Sequence, residues 1–120
     1  MNPKSIIEKW VNAFNKADVQ TLKNLYAEDA INHQMPNQAI IGRNAIEKMF
    51  HNEFAMAPKM HCIPIQIIVE NNWAVLEWRD PKGFQGCGFF EIQNGLIKTQ
   101  RGYWDKLTFF KLYNIPFEKV

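Results

Sequence analysis

A handful of side chains near the ends of two extended runs have the types and placement to move protons. His33 lies in AINHQMPNQAIIG, residues 30–42, where an extended run meets polar residues and a proline before a glycine. Imidazole titrates near neutral pH, which suits it to shuttle a proton. The plainer alternatives are an exposed loop histidine or one that holds a backbone carbonyl. Asp105 closes the run RGYWD. Strand alternation puts Arg101, Tyr103 and Asp105 on one face and Gly102 and Trp104 on the other. A carboxylate on an apolar-leaning inner face must be paired or raised in pKa; at a strand end it would instead pair with Arg101 or cap the segment that follows. Tyr103 could donate to a developing oxyanion, or pack with its hydroxyl in water. Glu77 and Arg79 share a face and read as a surface ion pair. His33, His51 and His61 show no metal-ligand spacing, Cys62 and Cys87 form no Cys-x-x-Cys pair, and no glycine-rich phosphate loop is present. Neither a metal nor a cofactor is therefore expected.

The elements that must position these groups can be read from periodicity. Asn2-Pro3 is a helix start, and Ile6, Ile7, Trp10, Ala13, Phe14 and Ala17 follow at helical spacing, so residues 3–16 are expected to form an amphipathic helix. Asp18 can cap a shorter second helix with Leu22, Leu25 and Tyr26 on its apolar side. Residues 30–34 read as a short strand. Gly42 precedes a third helix whose Ala45, Ile46, Met49, Phe50, Phe54 and Ala57 face inward, and Pro58 ends it. The period then changes to two. Strands are expected over 60–70, 73–79, 84–92 and 96–106, joined at Asn71-Asn72, at Asp80-Pro81-Lys82-Gly83 and at Asn94-Gly95. Residues 108–116 read as a short helix. Helices grouped before a run of hairpin strands indicate an α+β fold.

The 120 residues are expected to form one domain, 1–120, with 47% apolar and 13% aromatic residues to build a core. Net charge is +2 with both signs interspersed, so no nucleic-acid partner is expected. No apolar stretch reaches the length of a membrane span, and the first residues lack the apolar block of a signal peptide. A cytoplasmic protein with reduced cysteines and no membrane partner is expected.

Three stretches carry a family resemblance: NKADVQTLKNLYAEDAINH, GRNAIEKMF and GFFEIQNGLIKTQRGYWDKLTFFKLYNIP. Together they resemble the SnoaL-like polyketide cyclase group of the nuclear-transport-factor-2-like superfamily. The resemblance implies a cone-shaped, curved antiparallel sheet with the three N-terminal helices on its concave face and a pocket at the open end. It places His33 where ketosteroid isomerases carry a general-base Asp, and Asp105 where SnoaL-like cyclases carry their acid/base. Trp10 stands where the isomerases have a donor Tyr, and its indole donates a single hydrogen bond. Glu77-Trp78-Arg79 with Asp105 is a loose echo of the limonene-epoxide-hydrolase-like site.

The expected function is cofactor-free acid/base chemistry of isomerase, cyclase or hydrolase type on an apolar carbonyl or epoxide compound. His33 and Asp105 would exchange the proton, with Tyr103 and Arg101 assisting and Trp10, Phe14, Phe50, Phe54, Trp78 and Phe89 walling the pocket. The alternative is a non-catalytic domain that holds a small apolar molecule or serves in dimerisation. The resemblance also implies a homodimer through the outer sheet face, where Trp73 and Val75 would form an apolar patch.

Overall fold

Asn2 caps α1, Pro3–Asn15: its side chain accepts the Ser5 backbone N–H at 2.8 Å, and proline occupies the first helical position. One stripe of the helix is buried, including Ile6, Ile7, Trp10 and Phe14. Complete burial of a large apolar side chain stabilises by about 1.5–3 kcal/mol, so this stripe rather than intrinsic propensity holds the helix in place. Ala17 takes a positive φ of 51°, and Asp18 then caps α2, Val19–Asn24. β1, Tyr26–Gln34, leads to the two-residue β2, Ile40–Ile41, and Gly42 turns the chain into α3, Arg43–Met56. The four long strands that follow are β3 (Ile63–Glu70), β4 (Trp73–Arg79), β5 (Gln85–Gln93) and β6 (Leu96–Tyr103), before α4, Lys106–Leu112. The Asn94-Gly95 turn has positive φ at both residues, 53° and 76°, as a tight hairpin requires. The chain is a computed structural model that describes residues 2–116; Met1 and residues 117–120 of the expected 1–120 domain lie outside the described residues.

The fold is α+β, with a six-stranded sheet in the order β2-β1-β6-β5-β4-β3. Three differences from the expected meander have physical causes. The first strand begins at Tyr26, because that ring is wholly buried and belongs to the core rather than to α2. Its partner along one edge is β6, and this pair is parallel in a sheet otherwise antiparallel. The tail adds a fourth helix that starts at Lys106, two residues early, because Asp105 caps it.

The register assigns the faces. Ala74, Phe90, Gln100 and Asn32 lie side by side across β4, β5, β6 and β1, and Leu76, Gly88, Gly102 and Gln34 form the next row. These rows look toward the helices. The opposite, outer face carries the row Ile68, Val75, Phe89, Arg101 and His33. Glycines thin the middle of the inner face. A Cβ on Gly86 would meet the Trp78 ring at 2.5 Å, and one on Gly102 would meet Gln34 Oε1 at 1.8 Å. Both long side chains therefore lie flat on the sheet and leave space above them. A second buried cluster, Ala57, Phe84, Phe109 and Phe110, seats α4 over the end of the sheet. Among the described residues no helix is long and apolar enough to cross a membrane.

Candidate functional site

The space between helices and sheet is a cavity of about 500 Å³, within the range of small-molecule sites. Trp10, Phe14 and Phe50 line it from the helices, Trp78 and Phe90 from the sheet. Two expected wall residues are elsewhere. Phe54 stacks behind the wall on Phe50, with ring centroids 6.0 Å apart. Phe89 projects from the outer face, edge-on to Tyr103 at 5.8 Å.

The expected proton-moving residues are turned away from this cavity, and each has a local partner that explains why. His33 shares the outer row with Arg101, and its Nε2 lies 3.1 Å from the carbonyl oxygen of Asn37. That is the carbonyl-holding alternative. The Arg101 guanidinium lies over the rings of Trp73 and Phe89, at 4.7 and 5.4 Å, a cation–π arrangement on the outer face. Tyr103 is 42% exposed on that face. Asp105 is exposed and caps α4, accepting the Thr108 backbone N–H at 2.9 Å and its hydroxyl at 2.6 Å. Those hydrogen bonds hold its carboxyl below the usual carboxylate range. The expected convergence of His33, Asp105, Tyr103 and Arg101 in the pocket is thus corrected. The strand parity is inverted: Gln100, Gly102 and Trp104 face the cavity.

What does face the cavity is a buried chain of neutral hydrogen bonds. Trp10 Nε1 donates to the Tyr26 hydroxyl at 2.9 Å, and that hydroxyl donates to Gln100 Oε1. Asn32 Nδ2 donates to the same Gln100 oxygen at 3.1 Å. Gln34 Nε2 donates to Asn32 Oδ1 at 2.7 Å, and Trp104 Nε1 to Gln34 Oε1 at 2.8 Å. Asn32, Gln34, Gln100 and Trp104 all line the cavity. Burial holds the Tyr26 hydroxyl protonated, its pKa raised well above the ordinary range.

Glu53 contributes a carboxyl to the cavity from α3. It is four residues after Met49 and three after Phe50, inside the helix's apolar stripe, and that placement is the signal that sequence reasoning passed over. No ion pair or hydrogen bond engages its carboxyl among the described residues. Burial pushes its pKa up to about 7, since loss of hydration disfavours the charged form. A carboxyl poised there exchanges protons efficiently near neutral pH. Asp80 also reaches the cavity edge, but its carboxylate is engaged by the Lys82 and Phe84 backbone N–H groups, at 2.9 and 2.8 Å, and by the Tyr113 hydroxyl. The Cys62 thiol, also on the wall, is pushed up to about 12 by burial. Among the described residues no three His, Cys, Asp or Glu side chains gather where they could hold a metal ion.

Comparison with known proteins gives a family match and many similar structures. The family model of the SnoaL-like domain matches residues 7–100. A protein with a ketosteroid isomerase-like fold from Catenulispora acidiphila, in complex with trimethylamine, is 16% identical with a TM-score of 0.81, over 97% of this chain and 96% of that one. TerC, co-crystallised with polyporic acid, is 12% identical with a TM-score of 0.81, over 93% and 98% of the two chains. An LEH-like epoxide hydrolase of M. tuberculosis is 20% identical with a TM-score of 0.75, over 92% and 87%. At these identities the likeness is one of fold. No curated protein matches the chain.

Proposed function

The chain belongs to the SnoaL-like domain family, and on that premise we propose that it is a cofactor-free acid/base enzyme acting on a small apolar carbonyl compound inside its cavity, with Glu53 as the proton-transferring group. One observation carries the reading: the Glu53 carboxyl, with no ion pair or hydrogen bond among the described residues, stands on the wall of a cavity lined largely by aromatic, aliphatic and amide side chains. Such a site supplies a base, while the Asp80 carboxylate at the cavity edge is engaged by its own hydrogen bonds. In the proposed step the Glu53 carboxylate takes a proton from the carbon beside the carbonyl. The C–H electron pair moves into a C=C bond, and the carbonyl oxygen becomes an enolate. The Glu53 acid then returns the proton to the same carbon or to a conjugated one, which gives exchange or isomerisation. A fold neighbour with an epoxide hydrolase name keeps epoxide opening as a related reaction to assay.

The test is proton–deuteron exchange in D2O. 1-Tetralone, a rigid apolar ketone small enough for the cavity, is expected to exchange its α-protons faster with the protein than without it, and not with Glu53→Gln. Absence of protein-dependent exchange across a panel of apolar ketones, and of epoxide opening, would overturn the reading.

A second reading rests on the same carboxyl. Aromatic rings around an unpaired carboxylate also suit a small alkylammonium ion, the kind of ligand held by one fold neighbour. Trimethylamine binding that Glu53→Gln abolishes, in a protein without exchange activity, would favour a binding domain.

Homodimerisation through the outer sheet face is part of the proposal. Ile68 is 53% exposed there, next to Val75 and Phe89 in the outer row, and such a strip is normally covered. Sedimentation velocity is expected to show a dimer, and Val75→Lys to shift it to monomer. A wild-type monomer at high concentration would count against this interface.

A further inference from the structure

The hydrogen-bond chain on the cavity floor has a direction that no amide in it can choose for itself. An indole nitrogen can only donate, and one stands at each end of the chain. Trp104 Nε1 requires an oxygen opposite it, so Gln34 presents Oε1 there and must turn its NH2 group toward Asn32. Asn32 answers with Oδ1 and so turns its NH2 toward Gln100, which answers with Oε1. From the other end, Trp10 Nε1 occupies the Tyr26 oxygen, and burial keeps the Tyr26 proton in place, so that proton also goes to Gln100 Oε1. The two ends agree on one atom. Reversing any single amide would set donor against donor or acceptor against acceptor in a buried place, at a cost of about 1–3 kcal/mol per group left unpaired.

Gln100 Nε2 is therefore forced to the free side. None of these bonds uses it, and among the described residues no buried side-chain nitrogen or oxygen lacks a partner, so it meets the cavity that Gln100 lines. One N–H of Asn32 and one of Gln34 are likewise unused. Gln100 Oε1 already accepts two bonds, so the amide presents its donor and not its oxygen to the cavity. We propose that the ligand enters with a carbonyl or enolate oxygen against the Gln100 amide, and that this fixed donor face selects oxygen acceptors and disfavours ligands whose polar group is an N–H. This rests on the reading of the cavity as the ligand site and adds the identity of the ligand's polar group. In the enolate-forming step, the same donor would meet the oxygen on which charge develops.

The test compares 9-fluorenone with fluorene, which has the same shape with CH2 in place of C=O, by quenching of tryptophan fluorescence at pH 9, where Glu53 is ionised and cannot donate. Fluorenone is expected to bind about 3- to 10-fold tighter, the value of one net hydrogen bond. Its carbonyl stretch is expected to fall below its frequency in alkane. Gln100→Glu keeps the oxygen that accepts from Tyr26 and Asn32 but replaces the donor, so the affinity ratio is expected to drop to 1 or lower and the stretch to return. Gln100→Met, which has no donor either, should give the same two results and serves if the first variant does not fold. Fluorene that binds with fluorenone no tighter and unshifted would overturn the donor-face proposal alone. Failure of fluorene itself to bind would overturn the cavity reading and this proposal with it.

Discussion

Replacing Glu53 by Gln is expected to lower α-proton exchange by about 10²- to 10⁴-fold, the usual contribution of a positioned general base. The cavity geometry is kept, because Gln has the same length and no ion pair or hydrogen bond engages the carboxyl it replaces among the described residues. The pH dependence checks the assignment. The basic form does the work, so kcat/KM should rise as pH passes through about 7 and level off above it. Stability should move the other way. The folded-state pKa, about 7, lies above the ordinary 4.5, so between those values the folded protein binds more protons than the unfolded one. Stability is then greatest below pH 4.5, falls as pH rises through about 7, and stays flat above. At pH 8 the charged carboxyl costs about 2 kcal/mol after allowance for water in the cavity. Glu53→Gln should therefore melt several degrees higher than the wild type at pH 8 and at nearly the same temperature at pH 4. A gain in stability paired with a loss of exchange is what a functional burial of charge predicts. A variant that keeps its exchange rate would remove Glu53 from the chemistry.

The largest expected loss of stability comes from Asp80→Ala. Asp80 is 1% exposed, and its carboxylate ties together three parts of the chain. It accepts the backbone N–H groups of Lys82 and Phe84, which shapes the turn between β4 and β5, and the hydroxyl of Tyr113 just after α4. Lys82 completes the fastening: its Nζ donates to Leu112 O at 3.0 Å and lies 4.5 Å from the Tyr113 ring centre. Removal of the carboxylate leaves buried donors without partners, at an expected cost of about 3–4 kcal/mol. Urea unfolding should show that loss in the midpoint. Hydrogen exchange should show the amides of α4 opening faster even where the protein remains folded. Tyr113→Phe removes only the tie to α4 and should cost about 1 kcal/mol. Because Phe109 and Phe110 of α4 line the cavity, ligand affinity should weaken in both variants. Equal α4 protection in Asp80→Ala and wild type would show that the seat of Phe109 and Phe110 suffices without the carboxylate.

Element type was legible in the sequence where the local pattern is strong. The Asn2 cap, the apolar stripe of α1, the change of period after Pro58 and the Asn94-Gly95 hairpin all appear in the structure. Strand parity was not legible. Along β6 both alternating sets contain aromatic and polar residues, so composition does not say which set faces inward, and a shift of one residue exchanges the faces. Arg101, Tyr103 and Asp105 fell to the wrong side on that account, and Gln100 and Trp104 were passed over. His33 was misplaced for the same reason, since Asn32 and Gln34 flank it with equally polar side chains. Asn, Gln and Trp also announce chemistry less readily than His and Asp. Their importance here comes from a chain of contacts between residues as far as 74 positions apart, Tyr26 to Gln100, which no local pattern encodes.

That sequence distance bears on how the protein is made. β1 is complete at Gln34, yet its long partner along one edge, β6, begins at Leu96. On the ribosome the first strand and the helices beside it must wait while some sixty residues are synthesised, about 3–12 s at 5–20 residues per second. During that interval the apolar stripes of α1 and α3 have only a partial sheet to cover. Closure of the β1–β6 pair must wait for β6, and with it the hydrogen-bond chain to Gln100. A nascent chain stalled before β6 should be the form that chaperones hold and proteases cut, and release of β6 the event that ends that exposure.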